Sequence, residues 1–151
     1  MSSSPSKYLI AYATIRVFSH ATEDPQKVET AIRNTLPEAL TEDLVFTQTS
    51  LTGHHNNPII IFEAKLDDKQ NLPKLLDKFA SLLSSLDKQQ LETEWKRHLE
   101  KRNLYLRFDK QAAYMGKLKL GNVDPIHFKI HFKNRTPQEI TEICHEAGLL
   151  P

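Results

Sequence analysis

Four side chains near the C-terminal end alternate imidazole with ammonium: His127, Lys129, His131 and Lys133. Ile126, Phe128, Ile130 and Phe132 interleave them. Such alternation belongs to a strand with one face on a core and the other meeting water or a ligand. Alternate residues on a strand lie about 6.6–6.8 Å apart, close to the spacing of successive phosphates in an extended nucleic-acid strand. Ammonium groups suit phosphate as point charges, and imidazoles can stack on bases or donate to phosphate. A second strand pattern runs over 8–19, with Leu9, Ala11, Ala13, Ile15 and Val17 on one side and Tyr12, Thr14, Arg16, Phe18 and His20 on the other. If both strands share a sheet, cations and stacking rings share a surface, the combination that single-stranded or looped RNA uses.

Charge points the same way. The chain has 151 residues and a formal net charge of +1, but the charge is unevenly spread. Residues 101–135 hold nine basic side chains against Asp109 and Asp124. Residues 21–100 hold nine basic against fourteen acidic ones. A basic block inside a near-neutral protein suggests a face for a polyanion. Arg107, Lys110, Lys117 and Lys119 fall within that block and extend the candidate patch. His54 and His55 sit in the turn-rich run Gly53-His54-His55-Asn56-Asn57-Pro58, where His and Asn offer donors and acceptors to base edges. The alternative is a plain solvated sheet face, since lysine on an exposed strand also blocks edge-to-edge aggregation.

Other chemistries find less support. His127 and His131 are about 13 Å apart along a strand and cannot share a metal. Adjacent His54 and His55 are awkward chelators, so no metal or other cofactor is expected. The sequence has no Gly-x-Ser-x-Gly elbow, no His-Glu-x-x-His and no Walker loop. Its four glycines, at 53, 116, 121 and 148, form no phosphate cradle. The single cysteine, Cys144, excludes an internal disulfide and lies on an apolar helical stripe, where it reads as a core residue. It favours a reducing, cytoplasmic home. No apolar run approaches a membrane span. No catalytic residue is assigned, and the expectation is a non-enzyme.

These side chains need a scaffold, which the sequence outlines as one domain over 8–151 behind a Ser-rich tail at 1–7. Asp24 caps a helix with Pro25 at its first position and a stripe of Val28, Ala31, Ile32 and Leu36. Strands over 43–51 and 59–66 flank the histidine turn as a hairpin. Asn71 caps a helix with Leu72, Leu75, Leu76, Phe79, Leu82 and Leu83 on its apolar side. Ser84-Ser85 breaks it, and a further helix from about 87 carries Leu91, Trp95 and Leu99. A strand follows over 104–108. The stretch 109–120 reads as one helical turn and a short strand at 117–120. Thr136-Pro137-Gln138-Glu139 is a capping box that opens a last helix, ended by Gly148. The order predicts an α+β two-layer sandwich, a mostly antiparallel sheet with helices on one face.

Three stretches together carry a resemblance: 15–24 (IRVFSHATED), 53–59 (GHHNNPI) and 104–114 (LYLRFDKQAAY). In that order and spacing, over about 8–135, the chain resembles an archaeal family of RNA-binding proteins once grouped as exosome subunits. The second histidine of His54-His55, and Asn103 where a glycine is expected, depart from its pattern. The family is similar in fold to the large-subunit ribosomal protein that binds 5S rRNA. The resemblance implies RNA as ligand, a ribosomal or RNA-processing setting, and ribosomal or exosome proteins as partners. It supplies no contact residues. Two other readings stay open: an adaptor that docks a basic protein on the acidic 21–100 segment, and a metal-independent ribonuclease using histidine as acid and base.

Overall fold

The computed structural model describes residues 7–151, apart from the side chains of Lys7 and His54. Of the expected tail at 1–7, residues 1–6 lie outside those described, and Lys7 opens a short 3-10 turn. Six strands form one sheet: β1 (Ile10–Ser19), β2 (Thr47–Thr52), β3 (Pro58–Leu66), β4 (Leu99–Glu100), β5 (Asn103–Phe108) and β6 (Ile126–Phe132). Their spatial order is β2-β3-β1-β6-β5-β4, and every pairing is antiparallel. Among the described residues six α-helices accompany them: α1 (Pro25–Asn34), α2 (Leu72–Leu82), α3 (Ser85–Thr93), α4 (Trp95–His98), α5 (Lys110–Tyr114) and α6 (Pro137–Ala147). The fold is the expected α+β arrangement, an antiparallel sheet with helices packed on it.

Alternation builds the core. Ala13, Ile15 and Val17 on β1, Leu104, Leu106 and Phe108 on β5, and Ile126, Phe128, Ile130 and Phe132 on β6 are all buried. They join Val28, Ala31 and Ile32 of α1, Leu72, Leu75, Leu76 and Phe79 of α2, and Ile140 and Cys144 of α6 in one cluster. Phe79 sits edge-on to Phe108 at 4.8 Å and to Phe128 at 5.0 Å, pairs worth about 0.5–1.5 kcal/mol each beyond burial. Burial pushes the Cys144 thiol up to about 12, so it is no nucleophile near neutral pH. Among the described residues, no helix is long and apolar enough to cross a membrane.

Two helix signals read from the sequence hold in detail, whereas Asn71 makes no side-chain cap for α2 and its Nδ2 donates to Asp68 instead. Asp24 accepts from Gln26 N–H at 2.9 Å, with Pro25 at the first helical position. Thr136 Oγ1 accepts from Glu139 N–H at 3.1 Å, Glu139 Oε1 accepts from Thr136 N–H at 3.0 Å, and Gly148 ends α6 at φ 87°.

Several boundaries differ. The first strand begins at Ile10, because Tyr8 and Leu9 take positive φ of 68° and 54°. Its register shifts between Ile10 and Tyr12. The extra residue of this bulge puts Ile10 in the core and leaves Leu9 and Ala11 only half-buried, against the simple alternation. β2 starts at Thr47 rather than 43, with all six of its residues exposed as befits an edge strand. The helix expected from 87 splits. Ser84 Oγ caps α3 by accepting from Asp87 N–H, the backbone leaves helical geometry at Glu94, and Leu99 already pairs with Leu104. The strand expected at 117–120 is a single bridge between Leu120 and Phe108.

Candidate functional site

Residues opposite one another on neighbouring strands point to the same side of a sheet. The ladders therefore fix what the face away from the core presents. One rung joins Tyr12, His131 and Asn103. The next joins Lys65, Thr14, Lys129 and Tyr105, and the third joins Thr47, Glu63, Arg16, His127 and Arg107. Phe18 follows on β1, exposed, with the Arg16 guanidinium 5.2 Å from its ring centre. Over these three rungs stand four cations and one carboxylate.

Two ring pairs stand among the cations. Tyr12 and His131 stack with centroids 4.8 Å apart and planes 19° apart, while Tyr105 and His127 stack at 6.0 Å and 13°. Lys65 Nζ lies 4.8 Å and Lys129 Nζ 5.8 Å from the Tyr12 ring centre. Hydrogen bonds hold the His131 ring and the backbone at Tyr105. His131 Nδ1 is 2.8 Å from Asn103 Oδ1, which as an acceptor makes that nitrogen the donor and leaves Nε2 to accept in the neutral ring. His98 Nδ1–H donates to the Tyr105 carbonyl at 2.9 Å. A hollow of about 560 Å³ opens between Glu63 and Lys65 on one side and Tyr105, His127 and Lys129 on the other. A second, of about 340 Å³, lies beside His98, Arg107 and Asn122 and shares Tyr105 and His127 as a wall. The Tyr105–His127 stack is thus a ridge with a hollow on either side.

Both histidines of the face hold their protons loosely. Burial, then the Arg107 and Arg16 charges, push His127 below the usual imidazole range. Burial, then Lys129 and Arg102, do the same to His131. Near neutral pH both rings are uncharged and stack as flat, polar-edged platforms.

The thirteen residues proposed from the sequence divide by place. Tyr12, Arg16, Arg107, His127, Lys129 and His131 converge on this face. Lys133 is exposed just past β6, its N–H bonded to the Leu9 carbonyl at 2.7 Å. Lys117 and Lys119 are exposed in the segment after α5, off these rungs. His55 is exposed in the β2–β3 turn at φ 58°, and the His54 side chain lies outside the described residues. His20 follows β1, with Nε2 3.1 Å from Asp124 Oδ2.

Lys110 is placed quite differently. It is 7% exposed, and its Nζ donates to the Phe18 carbonyl at 2.7 Å, to Glu23 at 3.0 and 3.1 Å, and to Asp124 at 2.7 Å. It ties β1, the entry to α1, α5 and the β6 approach together. The His20, Glu23 and Asp124 ligand atoms lie within 4.8 Å of one another, close enough to hold a metal ion. The Lys110 ammonium already supplies a cation to both carboxylates. Lys65 and Tyr105 are the face residues that sequence reasoning passed over. The alternation in Phe62-Glu63-Ala64-Lys65-Leu66 and Leu104-Tyr105-Leu106-Arg107-Phe108 was the available signal.

A family model described as RNA binding matches residues 12–132, from the first residue of the face to the end of β6. The chain belongs to this RNA-binding family. Within similar proteins, an RNA-binding protein of Pyrococcus abyssi is 38% identical over 125 residues, covering 79% of each chain. An uncharacterised protein of Methanocaldococcus jannaschii is 33% identical over 142 residues, covering 85% of this chain and 92% of that one. A crystal structure from Sulfolobus solfataricus superimposes with a TM-score of 0.74 at 27% identity, over 90% of this chain and 96% of that one. The family match stops short of α6, although Ile140 and Cys144 of that helix complete the core.

Proposed function

We propose that this protein is a non-catalytic RNA-binding protein that takes unpaired or looped RNA on the open face of its sheet. The observation that carries this reading is the Tyr105–His127 ridge, flanked by two hollows and ringed by Arg16, Lys65, Arg107 and Lys129. Bases stack on such rings irrespective of sequence, while the cations follow the backbone. In an A-form duplex the bases are already stacked on one another, so a loop or single strand fits better. Family membership and the P. abyssi relative support RNA as the ligand. The ribosomal or RNA-processing setting rests on the family resemblance alone. So do the likeness to the 5S-rRNA-binding protein and ribosomal or exosome proteins as partners. Passive binding is favoured over cleavage because His127 and His131 are about 13 Å apart along β6, too far to serve one phosphodiester as base and acid.

The test is fluorescence anisotropy with a stem-loop RNA, a single-stranded RNA and a duplex DNA, at 50 and 200 mM salt. With four phosphates neutralised on a single strand, log K falls against log salt with a slope of about −3. Preference for looped or single-stranded RNA with that slope supports the reading. Equal binding of duplex DNA, or no binding at 50 mM salt, overturns it.

A further inference from the structure

One concavity beyond the three rungs has no part in the site so far. It measures about 520 Å³ and lies where the β4–β5 turn meets the β6–α6 connection, lined by Lys101, Arg102, Asn103, His131, Asn134 and Arg135 together with the start of α6. Lys101 and Asn134 hold positive φ of 55° and 51° in the two turns, and Phe132 N–H donates to the Arg102 carbonyl at 2.8 Å, pinning one turn to the other. No carboxylate lines it. Arg135 is engaged by Glu139 at 3.1 Å, and the capping box occupies the α6 terminus. Attraction here therefore falls to Lys101 and Arg102, both exposed. His131 and Asn103 belong both to this hollow and to the first rung of the open face, so the two surfaces are continuous.

We propose that this hollow is a second RNA contact, holding a phosphate of the same strand whose bases lie on the open face; it rests on the reading of that face as the RNA surface. The hollow is cationic and offers Asn and Thr donors, and its one ring, His131, is already stacked on Tyr12, which is the chemistry of a backbone contact rather than a base contact. A strand long enough to leave the face past His131 enters it directly. The phosphate is either internal to the strand or a terminal one, and oligonucleotide length and end chemistry tell these apart.

The experiment follows backbone amides of the isotope-labelled protein by NMR during titration with a tetranucleotide, the same tetranucleotide bearing a terminal phosphate, and a dodecanucleotide of RNA. The plain tetranucleotide is expected to shift amides of β5 and β6 on the open face only. The dodecanucleotide is expected to shift these and, in addition, Arg102, Asn134 and Arg135. If the phosphorylated tetranucleotide also reaches that second set, the phosphate is a strand end; if only the long strand does, it is internal. Amides of the second set that stay still with every ligand overturn the proposal and leave the face reading intact. Amides of the face that stay still overturn both. As a second readout, Lys101→Ala/Arg102→Ala should weaken the dodecanucleotide about tenfold at 50 mM salt and flatten its salt slope by about 0.7, the value for one phosphate. Tetranucleotide binding should stay within about twofold, since this ligand makes no contact there. Lys101→Gln/Arg102→Gln, which keeps side-chain bulk, should act alike. An equal loss with both lengths means a general field effect and overturns the discrete contact.

Discussion

Lys129 and Lys110 lie nineteen residues apart in the same basic block, and the fold puts them to opposite uses. Lys129 stands on the open face, half-exposed, among Tyr12, Thr14 and Tyr105, with no carboxylate opposite it on its rung. Lys110 is buried and fully engaged by Glu23, Asp124 and the Phe18 carbonyl. The difference teaches that a run of positive charge counts side chains, while a surface potential counts only those left uncompensated. Lys110 is spent on contacts within the molecule, and in the proposed reading Lys129 is left for RNA.

Loss of the buried ammonium should cost the most. Lys110→Met leaves Glu23 and Asp124 without their cation. Breaking a buried pair costs about 3–5 kcal/mol. Here about 2–3 kcal/mol is expected, because the carboxylates are 30% and 33% exposed and water screens them in part. Urea denaturation should show the loss, while RNA affinity of the folded fraction stays within about twofold.

Next comes the ridge. Tyr105→Ala removes the ring proposed to stack a base, an interaction worth about 1–3 kcal/mol per base. RNA affinity should drop about tenfold or more, with the salt slope unchanged, in anisotropy titrations. A preserved affinity would take the ridge out of the site.

Charge on the face gives the inverse signature of Lys110. Lys65→Ala/Lys129→Ala should flatten the salt slope for single-stranded RNA by about 1.4. Thermal denaturation should move little, since exposed substitutions stay within about 0.5 kcal/mol.

The smallest effect is the pH dependence. The pKa values of His127 and His131 lie below their ordinary value of 6.5, so both are neutral at pH 7 and gain protons only at lower pH. An imidazolium adds a positive charge to the face, so RNA affinity should be flat above pH 6.5 and rise as pH falls below it, by less than about tenfold per unit for one proton taken up. Stability of the free protein moves the other way. The unfolded histidines bind protons first, so their contribution is present above pH 6.5 and lost as pH falls through the lowered values. Affinity curves of His127→Gln/His131→Gln should lack the rise.

How legible each part was follows from how local its cause is. The β6 face could be read because its alternation is unbroken over seven residues and needs no partner to interpret. The capping box of α6 was equally plain, being written in four consecutive residues. The clamp on Lys110 was not, because its partners lie 87, 14 and 92 positions away and converge only through the fold. Tyr105 and Lys65 alternated correctly but gained meaning only once β1 and β6 were seen side by side at the centre of the sheet. The bulge at Ala11 left no mark in composition, since Leu9, Ile10 and Ala11 are apolar whichever way the strand is phased.

Photocrosslinking of the intact protein to single-stranded RNA, with the attached residues identified by mass spectrometry after tryptic digestion, shows directly which surface the RNA occupies. Adducts are expected in peptides 8–16 and 103–107, at Tyr12 and Tyr105. Adducts confined to peptide 111–117, at the exposed Tyr114 beside α1, would place RNA away from the open face and contradict the proposed function.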